Sequence, residues 1–303
     1  MSAGVATAPT HTEHAASARP TVALYIDAVK PGIVLSNTIV TAAAYVFAAH
    51  PFSWITLIGL VIGTSAIVGS GCVLNNHADR DIDARMERTA SRGQVTGAIG
   101  PLAAGIYCAI LGLGGAALLL ATTNVATLLL GAAGWVLYAL VYTPAKHHTV
   151  HATLIGTVPG AIPPVAGIAA AGGDVWVALT LFAMLVAWQL AHFYSISIRR
   201  RKDYGNAAVP VPAVAYGVAR TIRLVQLGAV LFLASSLALW AVGPLHPVLG
   251  LALLAYAVYW LLSASRGVHR YTDVDRWANA MFAHSLLIVM LIPAVLVIGR
   301  FLG

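Results

Sequence analysis

Charge is what this sequence lacks. Only 9% of its 303 residues are Asp, Glu, Lys or Arg, while 59% are hydrophobic; an ordinary soluble domain carries about 25% charged residues. A deficit spread over the whole length excludes a soluble domain and makes lipid the main solvent. The expected fold class is therefore all-α, a polytopic bundle of membrane-spanning helices. Cysteine is nearly absent too: Cys72 and Cys108 both fall in apolar runs, which excludes a disulfide framework and a cysteine metal site. Residues 1–20, rich in Ala, Ser, Thr and His, lack an apolar core and a cleavage pattern. They read as a disordered cytoplasmic tail, not a signal peptide, ahead of a single domain over 21–303.

A helix needs about 20 mostly apolar residues to cross a bilayer. Nine segments qualify, near 31–49, 54–75, 98–120, 123–142, 151–171, 174–198, 223–243, 246–265 and 277–299. The fifth contains Pro159, Pro163 and Pro164, and the expectation there is an interrupted helix. With these spans, 16 of the 17 Lys and Arg residues lie on the side that holds the N-terminus, leaving only Arg300 opposite. The positive-inside rule then puts the N-terminus in the cytoplasm and the C-terminus outside. The net charge of +7 reflects this topology and carries no implication of nucleic-acid binding. Nine of the ten acidic residues share the cytoplasmic side, Asp174 being the exception. Acidic residues contribute little to orientation, so something else placed them.

One stretch stands out: "LNNHADRDIDARMERT", 74–89, directly after Trp54–Val73, which holds no charged residue. Asn75, Asp79 and Asp83 are spaced i, i+4, i+8, and on a helix they fall within roughly 80° of arc along about 12 Å. Such a carboxylate ladder repels itself unless a cation sits within it. Mg²⁺ suits oxygen donors and binds through one or two carboxylates plus substrate phosphates. The ladder thus reads as a clamp for a magnesium-bound phosphate compound whose tail enters the bilayer. The plain alternative is a solvated loop in which Asp79, Asp81 and Asp83 pair with Arg80, Arg85 and Arg88; it leaves Asn75 and the apolar lead-in unexplained. After the sixth span, Asp203 stands amid Arg199, Arg200, Arg201 and Lys202. Basic residues commonly just flank a span, yet two acidic sites at equivalent span ends are what a diphosphate clamp needs. The cations would stabilise charge building on the departing diphosphate.

The pattern Asn75, Asp79, Asp83 resembles the first motif of the intramembrane prenyltransferases, the superfamily that includes 4-hydroxybenzoate polyprenyltransferase. The finer resemblance is to its haem-modifying branch, the protoheme IX farnesyltransferases. It is carried by "VKPGIVLSN" (29–37), "NNHADRDIDARMERT" (75–89), "YTPAKHHTVHATLIGTVPGAIPPVAG" (142–167), "WQLAHFYSISIRRRKDYGNAAVPV" (188–211) and "DRWANAMFAHSLL" (275–287), in order along nearly the whole chain. Asp203 stands alone, with Arg199 where the superfamily usually has a partner aspartate, a loss that the haem-modifying branch shares. Ala191 precedes His192 where that branch commonly has proline, and "AAVP" follows "DY" in place of "AG.P".

The resemblance implies nine helices around a lipid-accessible central cavity near the cytoplasmic face of the cell membrane. The implied activity is transfer of the farnesyl group of farnesyl diphosphate to a vinyl group of haem B, with addition of water to give haem O. Mg²⁺ would be held by Asn75, Asp79, Asp83 and Asp203. Arg88, Arg92 and Lys202 would neutralise the diphosphate, with Arg80 and Tyr204 in the same loops and Lys146 against a propionate or phosphate. Tyr142, Trp188 and Tyr194 are the aromatic faces able to stabilise a passing cation, against a plain role as packing or interfacial anchors. His192 is an ionisable group inside a span, a functional candidate by default. A continuous helix would put it about 16 Å deeper than Asp203, near haem iron, propionates or the water-capture step. Its competing role is a neutral ring bonded to another helix near Gln189. His284 reads as packing. His147, His148 and His151 read as loop residues without a zinc set. A haem A synthase or terminal oxidase is the expected recipient of the product.

Two other functions compete. Prenylation of a quinone precursor such as 4-hydroxybenzoate stays within the enzyme class. A small-molecule transporter would suit kinked helices, but carriers often show internal repeats and midplane charges, and here the charges gather at one face.

Overall fold

The computed structural model describes residues 20–270 and 273–302; the tail expected over 1–20 lies almost wholly outside them. No strand occurs among the described residues. The order is α1 (Thr21–Ala28), α2 (Pro31–Ala48), α3 (Trp54–Ala78), α4 (Arg80–Asp83), α5 (Pro101–Thr122) and α6 (Val125–Val136). A π-helical segment, Leu137–Tyr142, leads into α7 (Thr143–His148), α8 (Ala152–Ala170), α9 (Val175–Arg199) and α10 (Arg201–Asn206). Then come α11 (Pro212–Ala215), α12 (Val218–Val242), α13 (Pro247–Arg270) and α14 (Val274–Leu302). Among the described residues nine helical segments are long and apolar enough to cross a membrane, α6 through α7 counting as one. All nine coincide with the segments expected from hydropathy. The chain is a multi-pass membrane protein.

Local chemistry sets the helix starts. Ser53, Asn124 and Asp174 cap α3, α6 and α9 by accepting from Thr56 N, Thr127 N, and Trp176 N with Val177 N. Proline opens α2 and α5, where its missing N–H costs nothing. The largest core cluster joins α2, α8, α9, α12, α13 and α14, with Trp260, Trp277 and Phe232 fully buried. Outward faces present Ile55, Leu102, Leu113 and Phe301, as a lipid solvent allows.

The interruption expected in the fifth span does not occur. α8 runs unbroken from Ala152 to Ala170 through all three prolines. Each proline removes one intrahelical N–H, but Pro159, Pro163 and Pro164 are buried, and α8 packs against α2, α6 and α9. Packed neighbours hold such a helix together inside a membrane. Gln189 of α9, for instance, donates to the Thr157 carbonyl at 3.2 Å.

Close approach of α3 and α5 depends on glycine. A Cβ on Gly115 would lie 2.8 Å from the Gly63 carbonyl oxygen and 3.0 Å from Ala66 Cβ. Gly115→Leu should therefore force the pair apart and cost about 1–3 kcal/mol. The expected outcome is a lowered unfolding midpoint in detergent, and an unchanged midpoint would refute this account of the contact.

Candidate active site

The ladder forms as its spacing requires. Asp79 N donates to Asn75 O at 3.0 Å and Asp83 N to Asp79 O at 2.8 Å, so helical register persists from α3 through α4. Asn75, Asp79 and Asp83 are all buried, and all three line one large cavity of about 460 Å³. Asp81, on the opposite side of the turn, is exposed and pairs with Arg80 at 3.7 Å. The plain local-pairing alternative thus holds for Asp81 alone.

Distant cations meet the two buried carboxylates. Lys146 of α7 bonds Asp79 Oδ2, and His147 Nε2 lies 3.2 Å from Asp79 Oδ1. Arg92, on the turn-rich loop after α4, bonds Asp83. Lys30 bonds Asn75 Oδ1. Lys30 sits in left-handed conformation (φ 52°), strain for a residue with a Cβ, and Pro31 starts α2 behind it. Burial holds its ammonium down to about 8, against nearby Cys72 and Asp79, which raise it. Lys30, Arg88, Arg92 and Lys146 all line the cavity, so four cations face two carboxylates at its mouth.

The π-helical segment shapes the next layer inward. Thr143 N closes on Tyr138 O, five residues back. The Thr143 hydroxyl also donates to Tyr138 O at 2.9 Å, so it can only accept from Asn75 Nδ2 at 2.8 Å. That bond settles the Asn75 amide: its nitrogen faces Thr143, and its oxygen faces the Lys30 cation. Tyr138 and Tyr142 stack at 5.6 Å with an 18° interplanar angle, and Lys146 Nζ lies 5.6 Å from the Tyr142 ring centre. Gly156 leaves room for Tyr142, since a Cβ there would come within 2.7 Å of the ring.

Deeper, the wall turns apolar, with Thr64, Ile67, Leu119 and Gly131 on one side and Pro163, Leu185 and Val289 on another. The wall also includes Ile33, 42% exposed, so the chamber reaches the surface beside the start of α2. His192 and Trp188 of α9 line it. His192 Nδ1 lies 2.7 Å from Ser285 Oγ of α14, so the ring is bonded to another helix as its competing role expects, through Ser285; Gln189 bonds Thr157 O and Leu185 O instead.

Ten of the fourteen site residues expected from sequence share this wall. Asp203, Lys202, Arg80 and Tyr194 do not. α9 stops at Arg199 and the chain turns at Arg200 (φ −109°, ψ 19°), so the continuous helix assumed between His192 and Asp203 is absent. Asp203 pairs with Arg200 at 3.5 Å, while its neighbour Tyr204 takes the place in the wall. Burial pushes the Tyr204 phenol up, against the opposing pull of Arg88 and Arg200. Tyr204 packs with Met86, Ala207 and Val209, which joins the two mouth loops. Lys202 and Arg80 are exposed, and Tyr194 is buried in the core. Lys30, Tyr138 and Thr143 escaped the sequence reading. A lone lysine directly before the first span was the available signal for Lys30, and the i−4 spacing from Tyr142 for Tyr138; nothing marked Thr143.

Removing one member of a buried ion pair leaves the other uncompensated and costs about 3–5 kcal/mol. Lys146→Met should destabilise the substrate-free protein, and adding Asp79→Asn should restore part of that loss. Thermal unfolding of the four proteins of this double-mutant cycle measures the coupling, expected above about 1 kcal/mol; additive effects would contradict the pairing.

The UbiA prenyltransferase family matches residues 37–286. Curated relatives include a protoheme IX farnesyltransferase of Marinomonas sp. (strain MWYL1), 38% identical over 88% of this chain and 90% of its own length. Another, of Pseudomonas savastanoi pv. phaseolicola, is 38% identical over 88% of this chain and 90% of its own. Among solved structures, a digeranylgeranylglyceryl phosphate synthase superposes with a TM-score of 0.77 at 14% identity, over 92% of this chain and 98% of that one. A UbiA homologue from Archaeoglobus fulgidus bound to GPP and Mg²⁺ gives 0.68 at 15% identity, over 90% and 99%. Family match, close relatives and shared bundle agree with an acidic ladder set at the mouth of an apolar chamber: this chain belongs to the UbiA prenyltransferase family.

Proposed function

We propose that this chain transfers the farnesyl group of farnesyl diphosphate to a vinyl group of haem B, water completing the addition to give haem O. The observation that carries the reading is the single cavity with a charged mouth and an apolar interior, in a chain whose curated relatives are protoheme IX farnesyltransferases. Membership of a prenyltransferase family removes the carrier alternative. The match to the haem-modifying relatives over most of the chain disfavours a benzoate acceptor.

Magnesium fits the mouth. Asn75 presents its amide oxygen, and Asp79 and Asp83 add two buried carboxylates, the hard donors that Mg²⁺ takes alongside substrate phosphates. Among the described residues no three His, Cys, Asp or Glu side chains form a self-sufficient cage, in keeping with a site completed by diphosphate. Mg²⁺ bound there would supply positive charge to the diphosphate oxygens, as a UbiA homologue bound to GPP and Mg²⁺ supports. Asp203, paired with Arg200, is given no part in this set.

The chain's own residues do the rest. Lys30, Arg88, Arg92 and Lys146 neutralise diphosphate as the allylic C–O bond breaks, the stage at which charge stabilisation accelerates reaction. The stacked Tyr138 and Tyr142 rings offer π faces to the farnesyl cation. A haem vinyl carbon forms the new C–C bond, and water captures the resulting cation with loss of a proton. The apolar wall keeps bulk water from the farnesyl cation before that bond forms.

Helix polarity puts the mouth on the side rich in Lys and Arg, which supports a cytoplasmic mouth in the cell membrane. Haem O would pass to a haem A synthase or terminal oxidase.

Membranes containing the protein, incubated with haem B, farnesyl diphosphate and Mg²⁺, should yield a more hydrophobic haem by chromatography. Asp79→Asn or Asp83→Asn should lower that yield at least about 100-fold, near the loss seen when one transition-state-stabilising group is removed, with the protein still inserted. Chelation of the metal should do the same. Full activity in both variants would reject the clamp.

A further inference from the structure

We propose that His192 Nε2 is an axial ligand to the iron of the porphyrin substrate, an assignment that rests on the haem reading above. Ser285 Oγ lies 2.6 Å from the Phe282 carbonyl oxygen and 2.7 Å from His192 Nδ1. A serine hydroxyl has a single hydrogen, and both Phe282 O and His192 Nδ1 lie within its reach. When Phe282 O takes it, Ser285 Oγ accepts from His192 Nδ1 and Nε2 keeps a bare lone pair, the tautomer that an iron ligand requires. Among the described residues no hydrogen bond reaches Nε2, yet the His192 ring is part of the cavity wall.

The ring is also fixed in orientation. Trp188 stacks on it at 5.1 Å (22°) and Phe282 at 5.2 Å (29°), and Trp188 Nε1 is tied to Ser285 O at 2.7 Å. Arg199 Cζ stands 4.1 Å from the Phe282 ring centre and closes the end of this stack. An imidazole whose Nδ1 is tied to an oxygen on a neighbouring helix, in a ring that lines a cavity, has the arrangement of a metal ligand with its supporting partner.

The chemistry of the metal follows from what is missing around the ring. Among the described residues no three His, Cys, Asp or Glu side chains are placed to hold a metal ion by themselves. A metal that meets a solitary imidazole must arrive with its other ligands already in place. Porphyrin iron does so: the macrocycle fills four positions and leaves only the axial ones to the protein. Ser285 acts through His192 and is a positioning residue.

The full chain in detergent should be titrated with ferric haem B and, separately, with metal-free protoporphyrin IX, followed by absorption and electron paramagnetic resonance. In the wild type the iron should show nitrogen ligation. His192→Ala should lose that signature, weaken ferric haem binding at least about tenfold, the equivalent of 1.4 kcal/mol, and leave protoporphyrin IX affinity unchanged. Added imidazole should restore the spectrum. Ser285→Ala should keep ligation but shift the spectrum as the ring loses its tie. Should His192→Ala fail to fold, His192→Gln is read in the same two titrations. A wild-type haem spectrum in the His192 variant, or equal loss of both porphyrins, overturns the assignment while leaving the haem reading intact. A wild type that binds farnesyl diphosphate but neither porphyrin overturns both.

Discussion

Two carboxylates buried at the end of a membrane helix are the constraint on which the rest of this structure depends. Asp79 and Asp83 are both buried there, and burying a charge without a partner is costly. Three separate chain segments bend to supply it. The turn before α2 holds Lys30 in left-handed geometry against Asn75. The loop after α4 returns Arg92 to Asp83, and α7 brings Lys146 and His147 to Asp79. The same ionic balance that lets these carboxylates be buried leaves cations where a diphosphate would need them.

Below this charged rim the bundle is mostly apolar and shaped by close contacts. α3, α8 and α9 are the most buried of the spanning helices, and each contributes to the chamber wall. α3 and α9 both point their C-terminal ends at the mouth. The partial negative charge there favours the cations gathered around them. Proline in α8 stiffens one side of the chamber without breaking it. Catalytic charge and apolar substrate surface thus occupy successive depths of one cavity, as a reaction between a soluble head group and membrane-soluble chains requires.

What could be read from the sequence was whatever obeys a short-range rule. The nine spans follow from the cost of exposing backbone to lipid, which a hydropathy window measures directly. The ladder follows from helical periodicity, because Asn75, Asp79 and Asp83 belong to one continuous register. The misses all involve direction or partnership. Asp203 and Tyr204 are adjacent, and only the turn at Arg200 decides which of them meets the cavity. Tyr194 and Tyr142 are both span aromatics, yet the first faces the core and the second the chamber. α8 defied its prolines because its neighbours, distant in sequence, support it. Ser285 and Thr143 orient His192 and Asn75 across the bundle, and a hydroxyl carries no local mark of such a task.

The π-helical segment sets a direction as well as a shape. Such a segment holds one residue more than an α-helix of equal length, so it rotates everything after it by about 100°. In this chain that phase offset lies between the stacked tyrosines and α7, and it aims Lys146 inward. Wound as an uninterrupted α-helix, these same residues would carry the Lys146 ammonium about 100° away from Asp79. One wider turn in the fourth span thus decides whether its last charge meets a carboxylate or the surrounding lipid.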